Sequence, residues 1–87
     1  YMLDYLDFVF EYTGVTYEEY RVKSLRFKLE CARAYREYLR WYTGKCIHDG
    51  NYARNAIDIN TERNKINGYI EALEYDYSKA LDIEKEA

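Results

Sequence analysis

Residues 15–43 contain neither glycine nor proline, and the whole chain of 87 residues has no proline and four glycines. Proline costs about 3 kcal/mol inside a helix and glycine about 1, so a chain with so few breakers has few places where a helix must stop. Three of the glycines, Gly14, Gly44 and Gly50, fall where long helices would need punctuation. At 87 residues the chain is one domain, 1–87, only just above the size at which a single core becomes marginal. Long helices at that size gain from self-association, so an oligomer is expected.

The periodicity divides the chain into three segments. In the first, helix about 2–13, Asp4, Asp7 and Glu11 form a narrow acidic stripe and most other positions are apolar. A helix there would be buried over most of its girth. A strand over Asp7–Tyr12 is the rival, since Phe8-Val9-Phe10 suits a pleated surface. Gly14 would supply the left-handed stop.

The second segment opens with Thr16-Tyr17-Glu18-Glu19, a capping-box pattern in which Thr and Glu satisfy each other's backbone N–H groups. The spacing predicts a helix over 17–43, about 40 Å long. It carries two apolar rows. One is Val22, Leu25, Leu29, Ala32 and Leu39; the other is Tyr20, Phe27, Cys31, Ala34, Tyr38 and Trp41. A helix apolar on two sides must be covered on two sides.

A loop over 44–51, with the turn signal Asp49-Gly50, leads to a third segment, helix about 52–85. Its start could lie as late as Thr61, because Ile57–Thr61 is poor in helix formers. The seam Ile59, Arg63, Ile66, Ile70, Leu73, Tyr77, Ala80 and Glu84 advances by alternate steps of four and three, a coiled-coil stripe. The expected fold is therefore all-α: a short N-terminal helix packed on a long antiparallel two-helix hairpin, coiled-coil-like and dimeric. The turn position puts Leu25 opposite Ile70, Leu29 opposite Ile66 and Ala32 opposite Arg63, with ion pairs Arg33–Glu62 and Arg21–Glu74.

Charge is uneven along this plan. Residues 1–19 hold five acids and no base, 20–45 hold eight bases against two acids, and 46–87 hold nine acids and five bases. Arg26, Arg33, Arg36 and Arg40 fall on one stripe of the second segment. Internal pairing is the plainest use for them, contact with a protein partner is the next, and phosphate binding to a nucleic acid is the third. Tyr35, Arg36, Tyr38, Arg40, Trp41 and Tyr42 cluster at the end of the same segment. Trp, Tyr and Arg dominate protein-binding hot spots, so these six residues are the first candidates for a partner surface. Asn60, Asn64, Asn67 and Glu71 share a face of the third segment beside Gly68, an arrangement that would admit another helix closely.

Catalysis is not expected. No Gly-rich phosphate loop or nucleophile-elbow pattern occurs. A small open hairpin should also lack the roughly 300–1,000 Å³ that ligand sites enclose. Cys46-Ile47-His48-Asp49, with Cys31 upstream, has metal-ligand residue types but not the usual spacing, so no metal and no cofactor is expected. The chain has no apolar run long enough to span a membrane, and its first residues, with Asp4 and Asp7, do not resemble a signal peptide. Two cysteines then read as reduced thiols in the cytoplasm. The reading that fits all of this is a non-catalytic adaptor or inhibitor that docks on a larger protein. The alternatives are a nucleic-acid binder and a purely structural homo-oligomer.

Overall fold

A computed structural model describes the backbone of residues 1–86 and the side chains of residues 1–82, and the described residues are all-helical, with no strand. The elements are α1 (Tyr5–Thr13), α2 (Tyr17–Arg21), α3 (Leu25–His48) and α4 (Tyr52–Glu86). The first segment is thus a helix and not the rival strand.

Each boundary has a local cause. The Asp4 carboxylate accepts the N–H of Asp7 at 2.8 Å and starts α1. Gly14, at φ 76°, ends it by donating its N–H to the carbonyl of Phe10 at 2.7 Å. At α2 the capping box forms as the sequence requires. Thr16 Oγ1 accepts the N–H of Glu19 while Glu19 Oε1 accepts the N–H of Thr16, both at 3.3 Å. The Thr16 hydroxyl also donates to Glu19 Oε1 at 3.0 Å, and that bond first, with the backbone N–H bond second, holds the Glu19 carboxyl below its ordinary value.

Three expectations need correction. The helix expected over 17–43 is two helices, because the chain turns at Val22–Ser24. There the N–H groups of Val22 and Lys23 bond to Glu19 and Tyr20 in tight turns, and the Ser24 hydroxyl accepts the N–H of Phe27 at 3.1 Å. Lys28 Nζ covers the exposed end of α2 by donating to the Arg21 carbonyl at 3.0 Å. Val22, assigned to an apolar row, is accordingly 85% exposed. Gly44 does not end the helix either. The chain continues helically to His48 and stops at Gly50, also at φ 76°. Here Gly50 donates to Ile47 and Asn51 to Cys46, the paired bonds of a Schellman motif. Finally, α1 buries only Phe8 and Val9, leaving Phe10 and Tyr12 outside.

The long pair α3 and α4 pack against each other, and α1 lies on α3. Leu29, Ala32 and Leu39 of α3 meet Ile66, Ile70 and Leu73 of α4 in one buried cluster, which Phe8 and Val9 join from α1. At the loop end Tyr42, Cys46 and Ile59 form a second cluster. Tyr77 and Ala80 of the expected seam are half-buried, and the side chain of Glu84 lies outside the described residues. Because the turn comes later than Gly44, the register shifts. Arg63 sits beside Thr43 and not Ala32, and Arg33 pairs with Glu74, at 2.9 Å, not with Glu62. Arg21 pairs with Glu18 of its own helix. Burying one Leu or Ile is worth about 1.5–3 kcal/mol, whereas an exposed ion pair contributes about 0–1, so the aliphatic seam holds the hairpin. The molecule measures 54 × 23 × 15 Å. Among the described residues, no helix is long and apolar enough to cross a membrane.

Candidate interaction surfaces

The tyrosines of the expected partner patch divide between inside and outside. Tyr35 has 0% of its surface exposed. Its hydroxyl donates to the Leu3 carbonyl at 2.8 Å, and the Leu3 N–H donates to the Tyr38 hydroxyl at 2.9 Å. Two hydroxyls one turn apart on α3 thus fasten the peptide that leads into α1. Tyr42 is buried beside Cys46 and Ile59. Neither Tyr35 nor Tyr42 belongs to an outer surface; both hold up the residues that do. Tyr38 is half-buried, while Arg36, Arg40 and Trp41 are exposed.

A continuous ladder of rings crosses from α1 to α3. Tyr12 stacks on Phe8 with centroids 5.3 Å apart and planes at 15°. Phe8 lies 5.3 Å from Tyr38, and Tyr38 lies 6.0 Å from Trp41. Both ends face solvent, Tyr12 at 62% and Trp41 at 59% exposure. The Lys45 ammonium stands 5.4 Å from the Trp41 ring centroid. Tyr12 was not distinguishable in sequence from the other α1 aromatics. Only the placement of α1 on α3 brings it into line.

The basic stripe is mostly engaged within the chain. Arg26 meets Glu30 at 3.4 Å, Arg33 meets Glu74 at 2.9 Å and Arg40 approaches Glu37 at 3.8 Å. Arg36 has no ion-pair partner among the described residues. Arg36 and Arg40 line a groove of about 280 Å³ with Arg63 and Asn67 of α4. Asn60, Asn64 and Glu71 are exposed on α4, and a Cβ built at Gly68 would meet nothing within 4 Å.

A second groove, about 310 Å³, is walled by Tyr5, Tyr17, Tyr20, Tyr35 and Tyr69, with Glu62 and Lys65 at its lining. α1 and α2 add walls to the hairpin here, and the groove they form stays open to solvent. Three hydroxyls of this groove are bonded to one another, Tyr5 to Tyr20 at 2.8 Å and Tyr20 to Tyr69 at 2.6 Å, and that of Tyr35 to the Leu3 carbonyl. Burial raises Tyr5 and Tyr20 well above the ordinary phenol value, and burial aided by the Glu62 charge raises Tyr35. These hydroxyls keep their protons at neutral pH and offer no base. The Cys31 thiol is pushed up by burial and, less, by Glu30, which leaves it protonated and a poor nucleophile. Cys46 is buried and His48 exposed, both within α3 and not in a loop. Among the described residues, no three His, Cys, Asp or Glu side chains converge as metal ligands.

Compared with protein-family models, with curated proteins and with solved structures, the chain finds no match.

Proposed function

We propose that the chain is a non-catalytic helical binding protein, an adaptor or inhibitor that docks on a larger protein through the ring ladder ending at Trp41. The observation that supports this is the 59% exposure of Trp41 at the end of a prearranged series of tilted rings. An exposed indole offers a large apolar surface that a partner could bury, and Trp is among the residues enriched at binding hot spots. The ladder holds the ring in place beforehand, so little side-chain freedom is lost on docking. Gly44, one turn from Trp41, has no neighbour within 4 Å of a built Cβ, which lets a partner approach the backbone. Lys45 over the indole favours a partner with an apolar pocket and an acidic rim.

The nucleic-acid reading, through Arg26, Arg33, Arg36 and Arg40, is less favoured because Arg33 and Arg26 meet carboxylates at 2.9 and 3.4 Å, which leaves only Arg36 and Arg40 of the stripe without a close partner among the described residues. A homodimer formed by the same rings is the remaining competitor.

Trp41→Ala separates them. It should weaken capture of the partner from the source cell by about 2 kcal/mol or more, the usual hot-spot magnitude, with size and dichroism unchanged. Unchanged capture would overturn the docking reading. A shift to smaller size on gel filtration would assign the ladder to self-association.

A further inference from the structure

We propose that the groove between α3 and α4 lined by Arg36, Arg40, Arg63 and Asn67 binds a compact polyanion, a diphosphate group. The argument starts at Arg63. It stands at a seam position between Ile59 and Ile66 and is half-buried. Its Nη2 donates to Thr43 Oγ1 at 3.2 Å, and no carboxylate lies within ion-pair distance among the described residues. Thr43 in turn donates to the Leu39 carbonyl at 2.8 Å, so a fixed neutral oxygen orients the guanidinium without neutralising it. The stem of Arg63 lies along the apolar seam while its head stays free to meet an anion in the groove.

Two more guanidinium groups line the same groove. Arg36 has no ion-pair partner among the described residues, and the Arg40–Glu37 separation of 3.8 Å is at the outer limit of a pair, with both side chains well exposed. Arg36 and Arg40 are one turn apart on α3. Arg63 and Asn67 are one turn apart on α4. Two donor pairs therefore line the groove from its two sides. Three positive forks and an amide suit several phosphate oxygens at once, since guanidinium binds such oxygens in bidentate fashion. The volume of about 280 Å³ exceeds the needs of a single phosphate.

The limits of the positive surface favour a compact ligand over a strand. Arg33, the next basic residue along α3, is closed off by Glu74 at 2.9 Å, and Arg26 beyond it by Glu30. A polynucleotide backbone would need that stripe to continue.

The test is calorimetric titration of the intact chain with inorganic diphosphate, orthophosphate, a nucleoside diphosphate and oligothymidylate at matched ionic strength. The expected result is one saturable diphosphate site per chain, about tenfold tighter than orthophosphate, as one further charge-assisted contact would give. Arg36→Gln, on an exposed residue that leaves the seam intact, should weaken it about tenfold. Arg63→Gln should do the same, while Arg26→Gln changes nothing. Tighter binding of the nucleoside diphosphate than of diphosphate would identify a nucleotide as the source. Equal binding would mean that the diphosphate alone is read, and both results sustain the site. Absence of saturable heat with diphosphate, or equal weakening by Arg26→Gln, would overturn it. Oligothymidylate binding tighter than diphosphate with a steep salt dependence would replace it with a strand-binding face.

Discussion

The Tyr35 ring has no exposed surface, yet its hydroxyl is satisfied by a carbonyl 32 residues earlier in the chain. A buried phenol can be tolerated only with such a partner. Glycine poses the opposite case. Gly44 and Gly68 lie inside helices, without positive φ, and a Cβ at either would touch nothing. Gly44→Ala and Gly68→Ala should each stabilise the fold by about 0.5–1 kcal/mol in thermal melts, by restricting the unfolded chain and favouring the helix. Destabilisation by either would mean that its surface is covered in solution by something the single chain does not show. For Gly44 the gain in stability should come with weaker docking, because the added methyl stands beside Trp41. At this scale the sequence was informative about which residues are aromatic and basic, and less so about where they point. Tyr35, Tyr38, Trp41 and Tyr42 are neighbours by helical spacing, but only the long-range bonds to Leu3 decide that Tyr35 faces inward. Arg63 was legible as a seam residue; its lack of a carboxylate partner became visible only with the true register.

Among the elements, short-range chemistry was readable and turn placement was not. Asp4, Gly14 and the Thr16–Glu19 box work as their spacing implies, because each involves residues three or four apart. The break at Val22–Ser24 has no glycine or proline to announce it. It places Tyr20 where its hydroxyl meets both Tyr5 and Tyr69, a tertiary reason that outweighs unbroken local helix propensity. Ser24 is the residue that makes the break tolerable, since its hydroxyl caps α3. Ser24→Ala should therefore lower stability by about 1 kcal/mol in chemical denaturation, while Ser24→Asp should retain it. If Ser24→Ala were neutral, the cap would not be what holds the break, and a continuous helix over 17–48 would compete. The Gly44 and Gly50 choice shows the same limit. Both glycines suit a helix stop, and only Gly50 is followed by a geometry in which two orphan carbonyls are bonded. Because the helix runs past Gly44 to Gly50, Arg33 meets Glu74 and not Glu62, and Arg63 meets Thr43 and not Ala32.

In the whole molecule, a 54 Å hairpin only 15 Å thick has little interior, and its tyrosines join elements that share few aliphatic contacts. The hydroxyl chain Tyr5–Tyr20–Tyr69 links α1, α2 and α4, and Tyr35 and Tyr38 link α3 to the peptide before α1. This arrangement makes the fold sensitive to alkali. The ordinary phenol value is 10.0, and Tyr5, Tyr20 and Tyr35 are all raised above it in the folded state, chiefly by burial. Above pH 10 the unfolded chain loses protons that the folded chain retains, so the stabilisation is complete below that pH and declines as pH rises toward the folded values. Each nearly fully buried tyrosine, Tyr20 and Tyr35, should remove up to about 1.4 kcal/mol per pH unit. Far-ultraviolet dichroism and tyrosinate absorbance, followed together, should show unfolding and ionisation of these tyrosines as one event. Tyr20→Phe removes the middle of the hydroxyl chain, so it should be less stable at neutral pH by about 1–2 kcal/mol and should lose stability less steeply in alkali. Ionisation of every tyrosine near pH 10 with native dichroism intact would contradict the buried hydroxyl chain, and with it the account of how α1 and α2 are held to the hairpin.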